Sequence, residues 1–138
     1  MIYKEINTIS EIGDILDLIH DEWFDINEIN FENHILSIKF RKEKNDDIKV
    51  KRNYLLWKVV EIPILECYLK IYNVTDYIIK DNQRVDFYDF NIIEYFENEN
   101  KINIQTGIPL IFEINVYDFK VSVEEIGISN YKLKTRIF

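Results

Sequence analysis

Trp23-Phe24-Asp25-Ile26-Asn27-Glu28-Ile29-Asn30-Phe31-Glu32 and Phe87-Tyr88-Asp89-Phe90-Asn91-Ile92-Ile93-Glu94-Tyr95-Phe96-Glu97 follow one pattern. Both read aromatic-aromatic-Asp-apolar-Asn-x-Ile-x-aromatic. Each then gives Glu-Asn (Glu32-Asn33, Glu97-Asn98) and an apolar-x-Ile strand, Leu36-Ser37-Ile38 or Ile102-Asn103-Ile104. A repeat constrains architecture more than any single residue does. Its alternation of apolar and polar positions is that of a half-buried strand, and its polar tips are hairpin turns. The sequence therefore predicts two copies of a hairpin, related by a pseudo-twofold axis.

The rest of the chain agrees with a sheet-rich domain. Its 138 residues are 47% hydrophobic and 14% aromatic, enough for one core. Alanine is absent, whereas Ile, Tyr and Phe abound, residues that suit a pleated surface better than a helix. The one helix expected spans 8–20. Thr8-Ile9-Ser10-Glu11 has the form of a capping box, and Ile9, Ile12, Leu16 and Ile19 recur at helical spacing. Leu65, Cys67, Leu69 and Ile71 alternate with Glu66, Tyr68, Lys70 and Tyr72 as a strand, and Pro63 is expected to interrupt the stretch before it. Charged turns are expected at Glu43–Asp47 and at Asp81-Asn82-Gln83. The fold class that follows is α+β: an N-terminal helix packed on an antiparallel meander of about eight strands, a sandwich or partly open barrel, in one domain, 1–138.

Net charge of −8 and a pI near 4.8 argue against nucleic acid and anionic membranes as partners. A basic stretch runs against this balance: Lys39, Arg41, Lys42, Lys44, Lys49, Lys51 and Arg52 lie close together. It reads either as Lys-protected edge strands or as a positive finger. A single cysteine excludes an intrachain disulfide and a multi-Cys metal site, and fits a reducing cytoplasm. No basic n-region precedes an apolar run, and no apolar run approaches the ~20 residues that span a bilayer. The composition suits a bacterial cytoplasmic protein.

Catalytic signatures are sparse. There is no G-x-S-x-G elbow and no phosphate-binding Gly-rich loop; three glycines do not build one. His20, Asp21 and Asp25 are the candidate metal ligands, a His and two carboxylates within six residues. The paired Asp25-x-Asn27 and Asp89-x-Asn91 resemble the opening of a calcium loop but lack its later oxygens and its Gly, so local Asx turns account for them. Cys67 reads as a core residue. No cofactor is implied. Tyr68 and Tyr72, with Lys39, Arg41 and Lys51, form the candidate binding surface, because outward Tyr beside charge is common at interfaces.

His20-Asp21-Glu22-Trp23-Phe24-Asp25, Asp89-Phe90-Asn91 and Thr106-Gly107-Ile108-Pro109 resemble segments of small bacterial proteins without an assigned function, which carry an HDxWFD-like step after an amphipathic helix. The resemblance covers most of the chain, implies an α+β fold, and carries over no activity or residue role. The functional expectation is a non-enzymatic binding protein, engaging a protein partner or forming a homo-oligomer; an immunity-type protein that neutralises a basic toxin is one concrete form. The rival expectations are a small-ligand barrel and a metal-dependent enzyme built on His20, Asp21 and Asp25.

Overall fold

The computed structural model describes residues 3–6, 8–43, 49–54, 56–81 and 85–137. Ten strands and one α-helix are present among them: β1 (Tyr3–Ile6), α1 (Ile12–Ile19), β2 (Trp23–Glu32), β3 (Ile35–Glu43), β4 (Lys49–Asn53), β5 (Trp57–Ile71), β6 (Val74–Asp81), β7 (Phe87–Phe96), β8 (Lys101–Thr106), β9 (Leu110–Val116) and β10 (Val121–Ile137). All pairings are antiparallel, and the strands form one sheet in the order β1-β10-β5-β3-β2-β7-β8-β9-β6, with β4 also on β5.

This overturns the α+β expectation of a helix-packed, eight-strand meander. The helix is eight residues long, and the fold is a ten-stranded antiparallel sheet with one short helix. The pairs β2–β3, β4–β5, β7–β8 and β8–β9 join consecutive strands; the other five, such as β3–β5 and β6–β9, do not. Two local features make strands longer than the sequence pattern suggests. β10 runs through the stretch around Gly127 as a single strand, absorbing Ile126 and Ser129 as bulges that shift its register against β5. Pro63 likewise lies inside β5 rather than ending it. Towards β3 and β4 it has no ladder partner among the described residues, because β3 pairing stops at Ile64 and β4 pairing begins at Glu61. A missing N–H is tolerated where no ladder partner stands on that flank. The expected charged turns at Glu43–Asp47 and Asp81-Asn82-Gln83 fall almost wholly outside the described residues.

The helix also starts later than expected. Residues Ile9–Glu11 form a 3₁₀ turn, and Thr8 donates its hydroxyl to the Glu11 carboxylate (3.0 Å) instead of capping a backbone N–H. Without that cap the first turn tightens, and the α-helix begins at Ile12. Ile15 and Ile19 are fully buried, with Ile12 and Leu16 packed at the margin.

The two matching hairpins meet directly. β2 pairs with β7 through Trp23↔Asp89, Phe24↔Tyr88 and Asp25↔Phe87. In the repeat, Phe24 corresponds to Tyr88, Trp23 to Phe87 and Asp25 to Asp89, so this register is self-consistent about a local twofold between Phe24 and Tyr88. The hairpin ladders match as well: Ile29↔Ile38 and Phe31↔Leu36 in one, Ile93↔Ile104 and Tyr95↔Ile102 in the other. From the join the sheet path runs outward as β2-β3-β5-β10-β1 on one side and β7-β8-β9-β6 on the other. One detail of the repeat shifts. By register Glu32 matches Phe96, not Glu97, because the first hairpin closes on two residues, Asn33 and His34, and the second on Glu97–Asn100. Asn33 (φ 53°) and His34 (φ 62°) are both left-handed, as the tightest hairpin turns require.

The sheet curls so that both halves bury their inner faces together. Phe24 stacks on Phe90 (4.6 Å between centroids) and lies 5.9 Å from Phe112 of the far half, while Phe40 meets Phe90 edge-on. β3, β5, β8, β9 and β10 contribute Leu36, Ile38, Leu69, Ile104, Ile114 and Val121 to the same buried cluster. Beyond this body, β4, the first half of β5 and the second half of β10 pair, among the described residues, only with one another and form a three-stranded arm. Val60 and Ile62 are fully buried there, apart from the main cluster.

Candidate interaction face

Alternation along β2 and β7 dictates what faces outward at the join. Phe24 and Tyr88 point inward, so Trp23, Asp25, Phe87 and Asp89 lie on the other face. Trp23 is 50% and Phe87 56% exposed, large values for aromatic residues in paired strands. The register sets each aromatic opposite a carboxylate, Trp23 against Asp89 and Phe87 against Asp25. The two aspartates therefore do not face each other. Asp25 accepts from the backbone N–H (2.8 Å) and side-chain amide (3.0 Å) of Asn27, an Asx turn, and Asp89 accepts from the Gly107 N–H (3.1 Å).

Beside Trp23 a cleft of about 280 Å³ opens between the ends of β2 and β3, lined by Asp21, Glu22, Trp23, Arg41, Lys42 and Glu43. Asp21 enters it in a left-handed conformation (φ 66°). Burial raises the pKa of the Glu22 carboxyl; Lys42 opposes that shift, and Glu43 and Asp21 add to it. Burial likewise pushes the Cys67 thiol up to about 11, with Lys42 opposing. Cys67 is thus a core residue with a suppressed thiolate, as its place in the strand alternation predicts. A second open cleft of about 350 Å³ is bordered by Thr8, Tyr95, Asn100 and Asp118. Tyr95 donates its hydroxyl to Asn100 (3.1 Å).

The sequence-derived metal candidates are not gathered. His20 meets Asp21 through Nδ1 (3.2 Å) and Asn91 through Nε2 (3.3 Å), while Asp25 is occupied by Asn27. Among the described residues no group of three or more His, Cys, Asp and Glu is arranged to hold a metal ion. His34 serves the hairpin tip: its Nδ1 lies 3.0 Å from the Val74 carbonyl, and Val74 N–H donates back to the His34 carbonyl (2.9 Å).

The candidate binding residues on β3 and β5 sit in a lattice of charge pairs. Arg41 forms a two-pronged bond with Glu28 (3.0 and 3.2 Å), which raises its pKa, and Lys39 bridges Glu28 (3.7 Å) and Glu66 (3.2 Å). Lys51 pairs with Glu61 at 3.3 Å. Tyr68 and Tyr72 are half-buried under Lys70 and Lys120 respectively, and the Tyr72 hydroxyl reaches buried Ser122 (3.0 Å). These tyrosines are part of a cross-strand network on the outer face rather than an open platform.

The exposed pair Trp23 and Phe87 was missed by the sequence reading, although the repeat contained the signal. Once Phe24 and Tyr88 are assigned inward, their neighbours must face out. Comparison with family models, curated proteins and solved structures gives no match for this chain. No helix among the described residues is long and apolar enough to cross a membrane.

Proposed function

We propose that the protein is a non-enzymatic binding protein that engages a basic macromolecular partner through the outer face at the hairpin join. The observation that carries this reading is the pairing of exposed Trp23 and Phe87 with Asp89 and Asp25. Aromatic faces beside carboxylates suit Arg and Lys side chains, by cation–π contact and ion pairing together. Trp and Tyr are the residue types that concentrate binding energy at interfaces. An acidic chain also accelerates association with a basic partner. An immunity-type protein that neutralises a basic toxin is the concrete form favoured. Catalysis is less well supported: Cys67 has a raised pKa, and both histidines are engaged in local structural contacts.

The test is a paired pull-down from a native bacterial lysate, using the wild type and Trp23→Ala/Phe87→Ala. The expected result is a stoichiometric basic protein retained by the wild type and lost by the double variant, with both proteins folded by circular dichroism. Equal recovery by both, or no stoichiometric partner with either, counts against the reading.

A further inference from the structure

β6 ends the sheet path, and one of its flanks is open. It has eight residues, Val74–Asp81, paired with β9 on the other flank. Away from β9, its one backbone–backbone hydrogen bond among the described residues is at Val74, whose N–H donates to the His34 carbonyl (2.9 Å). Its single bulge lies at Thr75 and leaves the strand regular from Asp76 onward. The opposite end of the path, β1, is only four residues long, and the flank of β10 beyond Glu124 is broken by bulges at Ile126 and Ser129. A regular unpaired edge is a template for a further strand, and natural sheets blunt such edges when they are to stay bare.

The side chains along this edge select the strand that fits it. Asp76, Ile78 and Lys80 are exposed and alternate with half-buried Tyr77 and Ile79. The sequence is self-complementary about Ile78. A second copy of β6, antiparallel and centred there, sets Asp76 against Lys80, Ile78 against Ile78 and Lys80 against Asp76 on the outer face. On the inner face it sets Tyr77 against Ile79 twice. A slip of two residues in either direction would put Ile78 against Asp76 or against Lys80, so the pattern specifies one register. An edge lysine ordinarily repels an incoming strand; in this register it meets a carboxylate. The pairing also covers Ile78, which is 55% exposed.

Both charged groups keep capacity for a partner. Lys80 gives one hydrogen bond to Glu113 of β9 (2.9 Å), and an ammonium has three donors. Asp76 accepts from Asn115 (2.8 Å) and Thr75 (3.3 Å) through Oδ1, and its second oxygen is an acceptor as well. These bonds hold the two side chains in place beforehand, which lowers the entropy lost on pairing. Tyr77 packs edge-on against Phe31 (5.3 Å), itself 39% exposed, so apolar surface flanks the inner pairs. A twofold axis through Ile78 makes the contact isologous and closes it at two copies. The β7-β8-β9-β6 halves of two molecules then form one continuous run of strands.

We infer that the protein forms a twofold homodimer by pairing β6 with β6 of a second copy, a surface distinct from the face assigned above. The test is sedimentation velocity of the full chain at concentrations up to about 500 µM. A monomer–dimer equilibrium is expected, with a Kd of about 10–100 µM, since an interface built on one strand is small. Asp76→Lys and Lys80→Asp are each expected to weaken self-association by about tenfold or more, because like charges then face each other twice. Mixing these two variants is expected to restore a dimer of one copy of each, because both cross-strand pairs are then of opposite charge. Ile78→Lys is expected to weaken the dimer by a similar factor, and Trp23→Ala/Phe87→Ala to leave it unchanged. Circular dichroism melts check that each variant folds; should a charge variant not fold, Ile78→Lys decides. A wild type that stays monomeric throughout overturns the inference and leaves β6 as a bare edge or one reserved for another protein's strand. A dimer that survives Ile78→Lys or both charge variants, or that is lost in Trp23→Ala/Phe87→Ala, also overturns it, as does a mixture of folded charge variants that stays monomeric.

Discussion

Replacing Phe24 by alanine should be among the most damaging single changes in this chain. Phe24 is 2% exposed, lies beside the local twofold, and neighbours three rings from two other strands: Phe90 and Tyr88 of β7, and Phe112 of β9. Truncating a buried Phe costs about 3–5 kcal/mol, the transfer term and the cavity together. Total stability for a domain of this size is on the order of 5–15 kcal/mol, so about a fifth or more is at stake. In urea, at about 1–3 kcal/mol per molar, the midpoint should fall by roughly 2 M. The sharper assay is a double-mutant cycle between Phe24→Leu and Phe112→Leu, which keeps both variants folded. Their rings are 5.9 Å apart and belong to opposite halves of the sheet. Residues in contact across a shared core couple by about 0.5–3 kcal/mol. Additive effects, with coupling below about 0.3 kcal/mol, would refute the idea that the two halves bury one common core.

Other perturbations test other parts of the structure. Gly107→Ala places a Cβ 2.7 Å and 2.8 Å from the Asp89 carboxylate oxygens. It should destabilise by about 1–2 kcal/mol in urea unfolding, and Asp89→Ala should remove most of that extra cost when combined with it; a neutral Gly107→Ala would contradict the close approach. Burial raises the folded pKa of Glu22 above the usual carboxylate range, so the native state binds the proton more readily and stability gains from this group as pH falls through the folded pKa towards the unfolded one. Glu22→Gln should therefore match or exceed wild-type stability at pH 7, and its advantage should shrink by pH 4 in thermal melts; a large loss at pH 7 would show that the carboxylate is needed charged. Cys67, buried with its pKa near 11, should resist thiol-reactive dyes at pH 8 until denaturant is added, and immediate labelling of the native protein would place it at the surface.

The repeat was legible because its inward positions are strongly apolar and its turns carry Asn and Glu, so both hairpins could be placed by alternation alone. What joined them was not legible. The Phe24↔Tyr88 register is a long-range pairing, set by the fit of rings from four strands rather than by any local signal. The strand extents were not legible where bulges shift the alternation, at Ile126 and Ser129 of β10 and at Lys51 of β4. The helix was placed correctly in sequence but shortened, because Thr8 turned to the Glu11 side chain. For the candidate sites, Lys39, Arg41 and Lys51 were visible as a basic stretch, yet their Glu28, Glu66 and Glu61 partners arrive from neighbouring strands.

The central claim is that two homologous hairpins fuse through β2 and β7 into one continuous sheet. Nuclear Overhauser contacts across that seam test it most directly. The register expects cross-strand backbone contacts between Phe24 and Tyr88, between Trp23 and Asp89, and slow exchange of the Phe90 amide, which donates to the Glu22 carbonyl at 3.0 Å. Intact hairpin contacts within β2–β3 and β7–β8, with none between Phe24 and Tyr88 and a fast-exchanging Phe90 amide, would contradict the account.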